Sequence, residues 1–497
     1  MAAPFADDQR GGTMDSGSDK INGRIASRAR GAVLGMLIGD ALAMPVHWYY
    51  DRAALFRDYG RVLDYLEPLP HHPDSILWRS EYRAPNARGE ILHDQARYWG
   101  RKYVHYHQFL KAGENTLNIQ IARLLLDSIT ENVAYRSKDF LDRYIAFMTT
   151  PGRHRDTYIE ECHRNFFSRY AQGVPPEKCG VEEKHIGGLV GIVPLVVYYN
   201  SRPDLARQNA LAHLALTHPG KRMREAGNLF VDLLLPLLGG GSLGPVLEEQ
   251  LAAQRNPLLG HPFSRWLAEA DETVVGRRLS TACYVEHAVP AVVYLALKYR
   301  DDPEAALIAN TNLGGDNAGR GAVLGALLGA AHGLEGFPER WVRQLASLPP
   351  DKFFESIPVT GASTVDEMQK RLDDIIEKRL GDIARFPVAA KSRIRSVYGR
   401  FFSAYWQLSR LATNSEVSWG TDPKALDPEI LEYMKHFFSD YQHIWREIDE
   451  VDRAARALMD AYGSHSPQER IRRLEALVSG GAGPEGENVW EAILEGP

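Results

Sequence analysis

Glycine recurs at every fourth residue twice in this chain, at Gly31, Gly35 and Gly39 and again at Gly321, Gly325 and Gly329. Residues four apart share one face of a helix, so each run presents a strip of nearly bare backbone. Two such helices are predicted to pack against each other at very short range. Each strip also meets an aspartate: Asp40 follows Gly39, and Asp316 stands in Gly314-Gly315-Asp316-Asn317, just ahead of the second strip. A close crossing needs the glycines but not the carboxylates, so the pair is read as framing a site. A glycine-rich turn that sets Asp316 and free N–H groups at a helix N-terminus suits a charged or phosphorylated ligand.

The rest of the chain of 497 residues reads as helices. Apolar residues recur at helical spacing over 26–42, 116–130, 138–148, 157–172, 189–199, 204–216, 222–238, 247–254, 282–299, 302–308 and 320–332, and almost no strand-like alternation survives. The expected organisation is a flexible arm over 1–25, an all-α domain over 26–345, a helical extension over 346–478 and a mobile tail over 479–497. In the extension, Thr364-Val-Asp-Glu367 is a capping box and Asp427-Pro428 opens another amphipathic helix. Its apolar stripes suit packing or self-association.

Balanced charge, 58 basic against 64 acidic residues, gives no nucleic-acid footprint. Cys162, Cys179 and Cys283 show neither a disulfide framework nor metal-ligand spacing and fit a reducing compartment. The polar arm lacks the apolar core of a signal peptide, and the apolar runs at 31–42 and 187–199 are shorter than a bilayer span. A soluble cytoplasmic protein with no membrane partner is expected.

Four segments then come in order: Gly31-x3-Gly35-x3-Gly39-Asp40-Ala-Leu-Ala-Met-Pro-Val, Leu216-Thr-His-Pro219, Ala282-Cys-Tyr-Val-Glu286 leading to Pro290, and Asn312-Leu-Gly-Gly-Asp316. Together they resemble an ADP-ribosylglycohydrolase. The resemblance implies an orthogonal all-α bundle that hydrolyses the glycosidic bond between ADP-ribose and its acceptor, with a pair of Mg²⁺ or Mn²⁺ ions in the cleft. Where such proteins carry Thr-Asp-Asp-Thr, this chain has Gly113-Glu114-Asn115-Thr116; where they carry Gly-Gly-Asp-Thr-Asp-Thr, it has Gly314-Gly315-Asp316-Asn317-Ala318-Gly319. Hard divalent ions need several anionic oxygens, and these two carboxylates hold two ions poorly. A reduced site follows: no certain cofactor, or one Mg²⁺ or Mn²⁺ on Asp316 and Glu114 if an ion is retained.

Arg320 lies one helical turn beyond Asp316. It either supplies the missing positive charge, with Asn115 and Asn317, or simply pairs with Asp316 or Glu114. His47 stands where the resemblance places a glutamate and could carry protons, or be a structural hydrogen-bonder. Between Asp51 and Glu114 an insert is crowded with aromatic and histidine residues, among them His71, His72, Trp78, Trp99, His105, Tyr106 and His107. Most suit inward packing; Tyr106 and His107, closest to Glu114, are expected at the cleft. In His154-Arg-Asp156-Thr157-Tyr158 the carboxylate reads as a helix cap or a ligand.

The expected function is hydrolysis of an N- or O-glycosidic bond of ADP-ribose or a related small-molecule or ADP-ribosylated substrate. Asp316 or Glu114 would activate water and His47 would assist the leaving group. Asp40, Asn115, Thr116, Asn317, Arg320, Tyr106, His107, Gly314 and Gly315 would bind the substrate. The alternative is an inactive ADP-ribose- or nucleotide-binding module, or a structural protein, on the same fold.

Overall fold

The structure is a computed structural model that describes residues 16–132 and 134–357, with side chains from Ala26 onward. These residues lie in the first of two units, divided between Thr360 and Gly361. The expected helices at Thr364 and Asp427 and the tail over 479–497 lie outside the described residues.

The described residues are all-α, with no strand among them. Helix α1 is Ser16–Ala43, α2 Arg52–Tyr59, α3 Leu117–Asn132, α4 Ser137–Thr149, α5 Glu161–Ala171, α6 Val193–Tyr198, α7 Pro203–Thr217 and α8 Lys221–Leu238. They are followed by α9 Leu243–Ala253, α10 Phe263–Trp266, α11 Asp271–Val274, α12 Val285–Lys298, α13 Pro303–Asn312, α14 Asn317–His332, α15 Glu339–Gln344 and α16 Asp351–Ser356. Thus α1 begins inside the stretch expected as a flexible arm. Ala346 to Ile357 stays on the same body, with Phe353 fully buried and Ala346 N–H donating to Gly113 O at 3.0 Å.

At the centre, α1 and α14 run antiparallel and meet along their glycine strips: Gly31 faces Gly329, Gly35 faces Gly325 and Gly39 faces Gly321. A Cβ on Gly35 would sit 2.1 Å from Gly325 O, and one on Gly325 1.9 Å from Gly35 O. No side chain fits there, so the backbones touch directly. Every residue of α14 from Asn317 to Ala331 is buried, as a helix that is apolar or small on all sides must be. Helices α8, α12 and α13 pack around α14, and α6, α13 and α16 also reach α1.

One expectation is corrected here. The stretch Ala26–Val46, with mean hydropathy 1.4, is long and apolar enough by length and composition to cross a membrane. It is instead buried inside the protein, where α14 covers its glycine face.

Candidate active site

The chain leaves α13 and turns through Gly314 and Gly315, both left-handed at φ +66° and +63°. A Cβ at either would lie 2.2 Å from a carbonyl oxygen, of Tyr49 and Thr281 respectively. Gly315 N–H donates to Tyr49 O (2.6 Å), Asp316 N–H to Thr281 O (2.9 Å), and Trp48 N–H to Gly315 O (2.7 Å). The turn is therefore stitched to Trp48–Tyr49 and to Thr281, and these N–H groups do not form the open anion cradle expected from the sequence.

Arg320 explains how the turn is held. Fully buried, it donates from Nε to Asn310 Oδ1 (3.2 Å), from Nη1 to Thr281 O (3.1 Å) and from Nη2 to Gly314 O (2.7 Å). It hydrogen-bonds neither Asp316 nor Glu114, so the expected pairing with either carboxylate is not formed. Burial lowers the guanidinium to about 10, with the Asp316 charge opposing that fall, so it remains a cation at neutral pH. Asn317 likewise serves the turn, donating to Val46 O (3.3 Å) and Thr311 O (2.8 Å).

Asp316 caps α14, its Oδ1 accepting from Gly319 N–H at 3.2 Å. The same oxygen faces His47 Nε2 at 2.9 Å; His47 Nδ1 faces His107 Nε2 at 2.8 Å; His107 Nδ1 faces Asp156 Oδ1 at 2.6 Å. All four side chains are buried. This is an unbroken line, carboxylate–imidazole–imidazole–carboxylate. Three hydrogen bonds along it need three protons among four groups, one more than two neutral imidazoles carry. Burial lowers His47 to about 4, so the ring is neutral near pH 7. Burial alone would raise Asp316, but the His47 hydrogen bond and the Arg320 charge bring it below the ordinary carboxylate value. With both ring nitrogens engaged, His47 is not placed to protonate a leaving group. Asp156 caps nothing, since α5 begins at Glu161; its Oδ2 instead accepts from Gln120 Nε2 at 3.0 Å.

The insert braces this line from behind. His72 and His105 donate through Nε2 to His47 O (2.9 Å) and Pro45 O (3.0 Å). Trp48, left-handed at φ +65°, stacks on His47 with centroids 3.9 Å apart and meets Tyr106 and Tyr158 edge-on. A non-glycine residue in that conformation is strained and persists only where its surroundings fix it. Tyr106 donates to Asp74 O at 3.2 Å and accepts from Ile76 N–H at 2.9 Å, so it is a bracing residue and not a ligand.

The Glu-Asn-Thr segment behaves differently from expectation. Asp40 Oδ2 accepts from Asn115 Nδ2 (2.8 Å) and Thr116 N–H (2.9 Å), while Oδ1 accepts from Thr116 Oγ1 (2.6 Å). Asn115 Nδ2 also donates to Leu37 O (2.8 Å). These residues weld the end of α1 to the start of α3, and burial raises Asp40 to about 6 despite the hydrogen bonds it accepts. Glu114 pairs with Arg155 and accepts from Lys111 N–H (2.7 Å).

One carboxylate was not singled out from the sequence. Glu160, just before α5, accepts from Asn118 Nδ2 at 2.7 Å and faces His185 Nδ1 at 3.9 Å. Burial raises it to about 7; the His185 charge opposes this and the Asp316 charge adds to it. It is the first of two adjacent glutamates, Glu160 and Glu161, on an ordinary amphipathic segment, so no local pattern marks it.

Oxygens that could hold a metal do not converge. Asp316 Oδ1 holds His47, Glu114 is tied to Arg155, and Asn115 presents an N–H donor to Asp40. Among the described residues no group of three or more His, Cys, Asp or Glu side chains could hold an ion. This donor set does not fit a pair of hard divalent ions.

Comparison with known proteins agrees with the resemblance. The family model described as ADP-ribosylglycohydrolase matches residues 22–379. An uncharacterized protein of Archaeoglobus fulgidus is 24% identical over 322 residues, 64% of this chain and 90% of that protein. A solved structure of an ADP-ribosylglycohydrolase-related protein complex is 23% identical, covers 67% of this chain and 97% of its own, and superposes with a TM-score of 0.45. Because the family model matches well over half of its length, the chain belongs to the ADP-ribosylglycohydrolase family.

Proposed function

We propose that the protein hydrolyses an N- or O-glycosidic bond of ADP-ribose or a related ribosyl substrate, on a site centred on Asp316 and without a dinuclear metal centre. The observation that carries this reading is the buried line Asp316–His47–His107–Asp156. A purely structural aspartate at a helix cap needs no such line behind it. Glycosidic cleavage passes through an oxocarbenium-like state that a buried anion stabilises and that water must attack. Asp316, ionised and fixed by His47 and Gly319, keeps Oδ2 without a hydrogen-bond partner among the described residues. That oxygen can accept the proton of the attacking water. The line shares the charge of Asp316 with groups that exclude solvent.

The test is turnover of ADP-ribosyl-arginine and ADP-ribosyl-serine by the full chain, with and without a chelator. We expect hydrolysis unaffected by chelation and lost by about 10³-fold or more in Asp316→Ala. Activity abolished by the chelator, or retained in Asp316→Ala, overturns the reading. Binding of ADP-ribose without turnover would make the chain a recognition module.

A further inference from the structure

Two carboxylates lie close to one short backbone segment, Ile186–Gly187. A Cβ built on Gly319 falls 3.0 and 3.2 Å from the two Asp316 carboxylate oxygens and 2.9 Å from Ile186 Cγ2. A Cβ built on the next residue of that segment, Gly187, falls 3.8 Å from Glu160 Oε2 and 2.6 Å from Asn118 Nδ2. Glycine at 187 and 319 thus keeps side-chain atoms off both carboxylates, which approach neighbouring residues of one segment.

The amide beside Glu160 has a fixed sense. Asn118 Oδ1 faces His163 Nε2 at 3.2 Å, and His163 Nδ1 faces Tyr144 Oη at 2.7 Å. His163 is held neutral, burial lowering it to about 3. It therefore accepts from the tyrosine and donates to Asn118, which leaves only Asn118 N–H to offer Glu160 Oε1. Among the described residues Glu160 Oε2 has no hydrogen bond, and its side chain is 15% exposed against 8% for Asp316. The charged and titratable groups around it among the described residues are His185, whose Nδ1 at 3.9 Å is buried without a hydrogen bond, Glu183 across His185, Tyr158, Cys162, Cys283, and Asp316 beyond Ile186.

We propose that Glu160 is the proton donor to the leaving group, paired with Asp316 across the Ile186–Gly187 backbone. This deepens the hydrolase reading and rests on it. In the step, the bond from the anomeric carbon to the acceptor nitrogen or oxygen breaks with its electron pair going to the acceptor atom, which takes the proton from Glu160 Oε2. Water oxygen bonds to the anomeric carbon and gives its proton to Asp316. The products are the free sugar hydroxyl and the protonated acceptor, with Glu160 ionised and Asp316 protonated; exchange with solvent resets both. Environments that push two carboxylates apart, one below its ordinary value and one up to about 7, assign base and acid in this way.

The test is Glu160→Gln in the full chain, an isosteric change that keeps an acceptor for Asn118 and removes the proton. Turnover of ADP-ribosyl-arginine should fall by about 10²- to 10⁴-fold. Turnover of a 4-nitrophenyl glycoside of ADP-ribose, whose leaving group needs no protonation, should stay within a few-fold of wild type. The fall in wild-type rate as pH rises through about 7 should vanish in the variant. Glu160→Asp, which keeps the acid, should recover part of the loss and serves if the glutamine variant does not fold. Equal losses on both substrates, or no loss on either, overturn the proton-donor role while leaving the hydrolase reading standing. A wild-type protein that cleaves neither substrate overturns both.

Discussion

Arg320 serves three acceptors that come from separate parts of the chain, 6, 10 and 39 residues away. A planar fork reaches all three at once, whereas a lysine ammonium on a flexible stem cannot. Each buried acceptor left without a donor costs about 1–3 kcal/mol. Arg320→Lys should therefore destabilise the protein by about 2–4 kcal/mol in urea unfolding, with Asp316 left beside a loosened turn; a loss under about 1 kcal/mol would sink this account. From the sequence, Arg320 one turn past Asp316 reads as a replacement for metal charge or a partner for the carboxylate. Helical spacing reveals neighbours on the same helix, but it is silent about carbonyls delivered by a distant turn. The same limit applied to the histidine line. His47, His107 and Asp316 were each legible from their motifs, yet the bonds joining them span 60 and 269 residues. Asp156 reads locally as a helix cap or a ligand, and nothing next to Glu160 in sequence marks it.

Elements were more legible, because the glycine period is a local signal with one physical meaning. Residues every four positions with no side chain can only be a face against which another backbone lies, and two such faces pair best with each other. What the period could not give was the partner register or the covering of α1 by α14 that keeps so apolar a helix inside. The contact makes a sharp prediction. Gly35→Ala would push a methyl to 2.1 Å from Gly325 O, where neither rigid backbone can yield without separating the helices. Overpacking of this kind should destabilise by about 3 kcal/mol or more. Gly260→Ala is the control: its Cβ meets nothing closer than Pro257 O at 3.6 Å, and the change should fall within about 0.5 kcal/mol. Comparable losses in the two variants would mean that the glycine seam does not hold the core together.

At the scale of the whole molecule, the described residues bury many more neutral histidines than the site uses. Burial lowers His47 to about 4 and His72, His163, His213 and His218 to about 3, and it lowers His105 as well. In the unfolded chain each would titrate near its ordinary value of about 6.5. Between about pH 6.5 and 4 the unfolded state therefore binds these protons and the folded state does not. Stability present above pH 6.5 is then lost as the pH falls, by up to about 1.4 kcal/mol per pH unit for each proton. Asp40 and Glu160, raised to about 6 and about 7, act in the opposite sense, holding protons that the unfolded chain releases as pH rises. Asp127 is also raised by burial, but three carboxylates do not offset six imidazoles, so the net slope follows the histidines. Urea unfolding at half-unit steps from pH 7.5 to 4.5 should show stability falling throughout the acid half of that range. Replacing His213, whose shift comes from burial alone, by glutamine should flatten the slope by about one proton's worth. A profile that is level or rises toward acid would mean that these rings are not buried neutral.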